Sequence, residues 1–230
     1  MATSKEVNTA ERVDEVGDEH WSSTNETPLK KDAFALSDSE KIEKITKSFA
    51  DIMDVLGLDL NDDSLKGTPQ RVAKMYVKEA FSGLNPANKP EVKLFKNTYD
   101  YTEMLVVRDI ELYTYCEHHF VPIVGKVHVA YFPEKEKVVG LSKLNRIVKY
   151  FGKRPQVQER LTKQITEELC VALETPHIAV VVDAFHFCVA SRGIEDTHSS
   201  TITGVYKGKF QDDQVKNQFL QHVNSKKDKE

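Results

Sequence analysis

Ile42, Ile45, Phe49, Ile52 and Leu56 recur at steps of three and four, which sets one apolar stripe on one face of a helix. Ser37 and Glu40 precede the stripe in the S-x-x-E spacing of a capping box, and Gly57 stands where a helix-ending glycine belongs. A second helix is predicted from Thr68-Pro69, a cap residue followed by proline, through Val72, Met75 and Tyr76 to about Phe81. From about residue 91 the period shortens. "EVKLFKN", "EMLVVRDIELYTYC", "KVHVAYF", "HIAVVVDAFHFCVAS" and "SSTITGVYKGKF" are rich in β-branched and aromatic residues and predict strands. Two helices interrupt them. One carries Leu141, Leu144, Ile147, Val148 and Phe151 on one side; the other follows Pro155 with Val157, Leu161, Ile165, Leu169 and Leu173 at every fourth position. Val215, Phe219 and Val223 predict a short last helix. The pattern is α+β, an antiparallel sheet with helices grouped to one side.

Residues 1–36 are polar and aperiodic and are expected to be disordered, leaving a single domain over 37–230: helices at 37–83, a sheet-and-helix core at about 91–210 and a terminal segment to 230. Net charge is −4, so nothing overall points to nucleic acid or an acidic membrane surface as partner. No apolar run nears the roughly 18 residues of a membrane span, and the N-terminus has no apolar signal core. Three cysteines, Cys116, Cys170 and Cys188, argue against a disulfide framework and predict a reducing, cytoplasmic setting.

Those cysteines matter more for where they stand. "YCEHHF" sets Cys116, Glu117, His118 and His119 side by side, and "HFC" sets His186 two residues before Cys188. Along a strand, His186 and Cys188 would project the same way, continuing the face of Ile178, Val180, Val182 and Ala184. Two thiols and several imidazoles match the sulfur and nitrogen donors of zinc. Cys116, Cys188 and one histidine of the 118/119 pair make three ligands, which leaves the open position of a catalytic site and spare imidazoles for proton transfer. Cys170, within a helical run, reads as a small hydrophobe. His20, His128, His177 and His222 read as structural or surface residues.

Ser142, Lys143 and Arg146 open a predicted helix, where exposed backbone N–H groups already favour an anion such as phosphate. Arg71 and Arg192 are further candidate cations. Gln158 and Glu159 fall in the first turn of the long helix, where an acidic residue also complements the helix dipole.

"CEHHF", "GLSKLNRIVKYFGKRPQVQERLT", "HFCVASRGI" and "TPQRVAKMYV" together closely resemble the GTP cyclohydrolase I family over about residues 37–222. The family more often has tyrosine where Phe187 stands here. The resemblance implies a T-fold (tunnelling fold) subunit of a toroidal homodecamer, with active sites at subunit interfaces. It implies conversion of GTP and water to formate and 7,8-dihydroneopterin triphosphate, opening tetrahydrofolate or tetrahydrobiopterin synthesis. By the same resemblance Cys116, His119 and Cys188 would bind zinc, and His118 and His186 would transfer protons. Gln158 and Glu159 would anchor guanine, and Ser142, Lys143, Arg146, Arg71 and Arg192 would hold the triphosphate.

Overall fold

The computed structural model describes residues 24–134 and 137–225. The expectations for residues 1–23, His20 among them, lie outside the described residues. Helix α1 (Asp38–Val55) begins at Ser37, whose side chain and backbone both bond Glu40, completing the capping box. Gly57 takes the left-handed φ of +79° that ends the helix without a Cβ clash. Helix α2 (Thr68–Met75) starts one residue earlier than expected, with Gly67 as its cap. Thr68 instead accepts a hydrogen bond from Arg71 at 3.1 Å. The helix continues as a π-helical turn, Tyr76–Ala80, and ends in Phe81.

Five strands form the main sheet in the order β5-β2-β3-β6-β7: β2 (Leu105–Cys116), β3 (Pro122–Tyr131), β5 (Pro155–Gln156), β6 (Ile178–His186) and β7 (Thr201–Tyr206). All pairings are antiparallel except the two-residue β2–β5 contact, which the sequence pattern did not predict. A separate ribbon pairs β1 (Leu94–Lys96) with β4 (Lys137–Val139). One face of the sheet carries Leu112, Val127, Val129, Val180 and Val182. Against it pack Leu144, Ile147 and Val148 of α3 (Ser142–Gly152) and Leu161, Ile165 and Leu169 of α4 (Gln158–Ala172). Each such fully buried side chain contributes about 1.5–3 kcal/mol. Leu141, expected on this buried side, caps α3 and is 52% exposed.

The opposite face is partly covered too. Ala130, Ala179 and Val181 meet Phe210 and Phe219, the latter on α6 (Asp213–Asn224). Cover on both faces explains why β6 reads as an unbroken apolar run rather than an alternation. His128 is structural, as expected: buried, it accepts the Asp109 N–H at 3.2 Å where β2 bulges. Residues 24–36, placed by the sequence pattern in a disordered extension, are partly anchored, with the Asn25 carbonyl and side chain bonded by Gln164 and Lys163 of α4.

Gly125 lies in the middle of the sheet, opposite Leu112 and Ala184. A Cβ there would fall 2.2 Å from the Asp183 carbonyl oxygen and 2.6 Å from the Ala184 Cα. Both are backbone atoms of β6 and cannot swing aside. Gly125→Ala is therefore expected to destabilise the fold by about 1–3 kcal/mol. Thermal unfolding checks it; an unchanged midpoint would mean that β3 and β6 pair less closely than described.

Candidate metal centre and its surroundings

The site grows from the end of β2. Cys116 is the last residue of the strand, and the chain turns back at once: Phe120 N–H bonds the Cys116 carbonyl at 2.9 Å, with Phe120 itself at a left-handed φ of +54°. Both aromatic ends of "YCEHHF" grip the same partner. Tyr115 and Phe120 each stack edge-on against Phe81, with ring centres 5.3 and 5.2 Å apart. The two imidazoles and the thiol are thus presented on a short turn clamped at both ends.

"HFC" meets this turn from β6, though not as two residues of one strand. β6 ends at His186, and Phe187–Ala190 form a single helical turn, α5. The Ser191 N–H and hydroxyl both bond the Phe187 carbonyl and close that turn. The strand stops because its partner runs out, His186 lying opposite Ile123 at the start of β3. His186 and Cys188 converge even so, with His186 Nδ1 4.0 Å from Cys188 Sγ.

One donor atom each from Cys116, His119 and Cys188 lies within 4.8 Å of the others. A tetrahedral zinc with ligand bonds of about 2.0–2.3 Å would separate its donors by about 3.8 Å, so the three fit one ion after small side-chain adjustments. The chemistry of the donors fits as well. Burial and the Cys116 thiol beside it push the Cys188 thiol up to about 11, so Cys188 resists ionising until a cation compensates. Burial, then Arg192, then His118 hold His119 below the usual histidine range, favouring the neutral imidazole that a metal needs.

The remaining site residues separate into two groups. Near the cluster stand His118, whose Nδ1 is 3.8 Å from Cys116 Sγ, and His186. Burial lowers His186 while the Glu159 charge opposes the shift. Arg192 reaches His119 Nε2 at 3.1 Å. Glu159 is exposed in the first turn of α4, and Gln158 is buried with its amide bonded to His186 rather than presented to solvent. In the second group Ser142, Lys143 and Arg146 sit on the first turns of α3, and Arg146 lines a cleft with Ser82, Asn88, Lys149 and Lys153. Arg71 bonds Ser64 and Thr68 on α2.

Two supporting residues escaped the sequence reading. Arg160, 4% exposed, donates to the Glu117 carboxylate and, at 3.2 Å, to Gln156 Oε1. Gln156 in turn accepts the Glu117 N–H through its carbonyl at 3.1 Å. A buried guanidinium on α4 thereby ties the metal turn to the helix that carries Gln158 and Glu159. The only signal in the sequence was a charged residue on the apolar side of α4, next to Leu161.

Fold and site together define an α+β domain whose sheet end carries three donors that could hold a metal ion, flanked by two further imidazoles. The family model described as GTP cyclohydrolase I matches residues 45–224, and the chain belongs to that family. GTP cyclohydrolase 1 of Flavobacterium johnsoniae is 55% identical over 217 residues, covering 94% of this chain and 97% of the relative. The enzyme of the same name from Erwinia tasmaniensis is 50% identical over 199 residues (86% and 90%), and that of Haemophilus influenzae strain Rd is 51% identical over 186 residues (80% and 85%). Among the described residues, no helix is long and apolar enough to cross a membrane.

Proposed function

We propose that this protein is a cytoplasmic, zinc-dependent GTP cyclohydrolase I. It hydrolyses GTP at C8, releases formate, and rearranges and recloses the ribose to give 7,8-dihydroneopterin triphosphate, the first step toward tetrahydrofolate or tetrahydrobiopterin. The observation that carries this reading is the convergence of Cys116, His119 and Cys188 with His118 and His186 beside them. Cys116, His119 and Cys188 would hold the zinc, which when bound supplies Lewis acidity and an acidified water at neutral pH. His186 gives a proton to purine N7, which makes C8 electrophilic. His118 moves the protons that ribose opening and ring closure require. Glu159 accepts from guanine N1–H and the exocyclic amine.

The triphosphate carries about four negative charges and needs several cations, for which guanidinium and ammonium groups with helix N–H groups are suited. Arg192 is in reach within one chain, while Ser142, Lys143, Arg146 and Arg71 are expected to come from adjoining subunits. Assembly as a T-fold ring is supported by the sheet itself. β7 has no partner strand on its outer side among the described residues, and β5 covers only the Tyr115–Cys116 end of β2. Ile202 and Tyr113 on these outer strands are 67% and 55% exposed. Such edges call for a neighbouring chain. Light scattering is expected to find a homodecamer; an active monomer at assay concentration would refute both the assembly and a shared site.

Adding GTP to the purified protein tests the reaction. Growth of dihydropterin absorbance with matching formate release supports it. Tight GTP binding without either product would instead identify a nucleotide-binding assembly module.

A further inference from the structure

Gln158 is buried at the N-terminus of α4, and every polar atom of its side chain has a partner inside the protein. Its Nε2 lies 3.2 Å from the Val182 carbonyl oxygen, 2.8 Å from that of Thr201 and 3.1 Å from Thr203 Oγ1. Its Oε1 lies 2.7 Å from His186 Nε2. Carbonyl oxygens only accept, so the amide nitrogen must be the atom facing Val182 and Thr201, and the oxygen must be the one facing the histidine. The neighbouring hydroxyls agree. Thr162 gives its single proton to the Gln158 carbonyl at 2.8 Å. The 2.6 Å contact between the Thr162 and Thr203 hydroxyls is therefore donated by Thr203, whose oxygen is left to accept from Gln158. An amide oxygen has no proton to give, so the proton shared with His186 belongs to Nε2 of the ring.

We propose that Gln158 is a positioning residue that fixes His186 as its Nε2–H tautomer and turns the other ring nitrogen, Nδ1, to the reaction. Nδ1 is the atom that faces the cluster, 4.0 Å from Cys188 Sγ. The assignment rests on His186 being a proton-transfer group for GTP, and it adds the atom at which the proton is exchanged. Nδ1 takes a proton from water to give the imidazolium and passes it to purine N7, while Nε2–H stays hydrogen-bonded to Gln158. It also separates two adjacent residues: Glu159 meets the substrate, while Gln158 serves the histidine from beneath. The sheet makes this arrangement rigid, because Val182 and Thr203 are paired across β6 and β7, and both bond the same amide.

The test uses the whole metal-loaded protein labelled with ¹⁵N-histidine, the His186 signals being identified by their loss in His186→Gln. Expected in the neutral ring is a protonated Nε2 and a bare Nδ1; the reverse tautomer overturns the proposal, whether or not the protein turns over GTP. Kinetics give the second arm. Gln158→Leu keeps the side-chain bulk and removes the acceptor, and is expected to lower kcat about 10- to 100-fold, the usual effect of losing a histidine's supporting partner, with KM for GTP unchanged. A raised KM with kcat preserved would make Gln158 a guanine contact and end the positioning role. Should the leucine variant not fold, the wild-type tautomer alone decides. Failure of wild-type protein to release formate would count against the proposed function, and the nitrogen signals would still report on Gln158.

Discussion

Cys188→Ser is expected to reduce GTP turnover to background and to lose the bound zinc, while the protein stays folded. Cys188 sits on the single helical turn after β6, partly exposed, so serine fits its space at little cost to the core. What serine cannot do is supply a thiolate. The Cys188 thiol already resists ionisation, pushed up to about 11 by burial and by Cys116, and only a cation shared with Cys116 and His119 offsets that. A hydroxyl ionises far less readily, so the three-donor set falls to two. Elemental analysis, circular dichroism and formate release on the one variant separate the outcomes. Zinc retained with full turnover would show that the metal, or the chemistry, lies elsewhere; zinc lost together with the fold would make the site structural instead.

Glu159→Ala carries the second large effect. Guanine offers N1–H and its exocyclic amine side by side, matching the two oxygens of one carboxylate, and adenine offers neither donor. Hydrogen bonds to a charged group contribute about 1.5–3 kcal/mol each, so losing two predicts a fall in kcat/KM for GTP of about 10²- to 10⁴-fold. Zinc content and assembly should stay normal, because Glu159 is exposed and lies outside the ligand set. Were it only a complement to the dipole of α4, its loss would cost about 0.3–1 kcal/mol of stability and little activity. Near-normal turnover of GTP by a zinc-loaded variant would remove Glu159 from the guanine site.

Much of the molecule was legible because its signals are local. The Ser37–Glu40 capping box, Gly57 and the four-residue steps of α4 each fall within a few positions, and the structure builds the helices there. The candidate ligands were legible for a different reason: cysteine and histidine side by side have few structural uses, so residue type drew attention to Cys116, Cys188 and the His118–His119 pair, and the family resemblance chose His119. What escaped depends on distant partners. Nothing in "AFHFCVAS" tells where β3 begins, so the strand was carried past His186 and Cys188 was given a strand's geometry. Gln158 finds its partners at Val182, His186, Thr201 and Thr203, none of them near it in sequence, and a glutamine beside a glutamate read as half of a substrate anchor. The pairing of Arg160 with Glu117 was missed on the same ground, the two being 43 positions apart. Ser142, Lys143, Arg146 and Arg71 are unlike either case: their residue types were noticed, and the proposed function draws them to the site from adjoining subunits.

The central claim is that GTP is opened at C8 by a metal held on Cys116, His119 and Cys188. Its most direct test strips the protein with a chelator, returns zinc in measured steps, and counts formate released from GTP at each. The predicted result is no release from metal-free protein, then release that climbs with zinc and saturates at about one ion per chain. Undiminished formate release from protein without metal would contradict it.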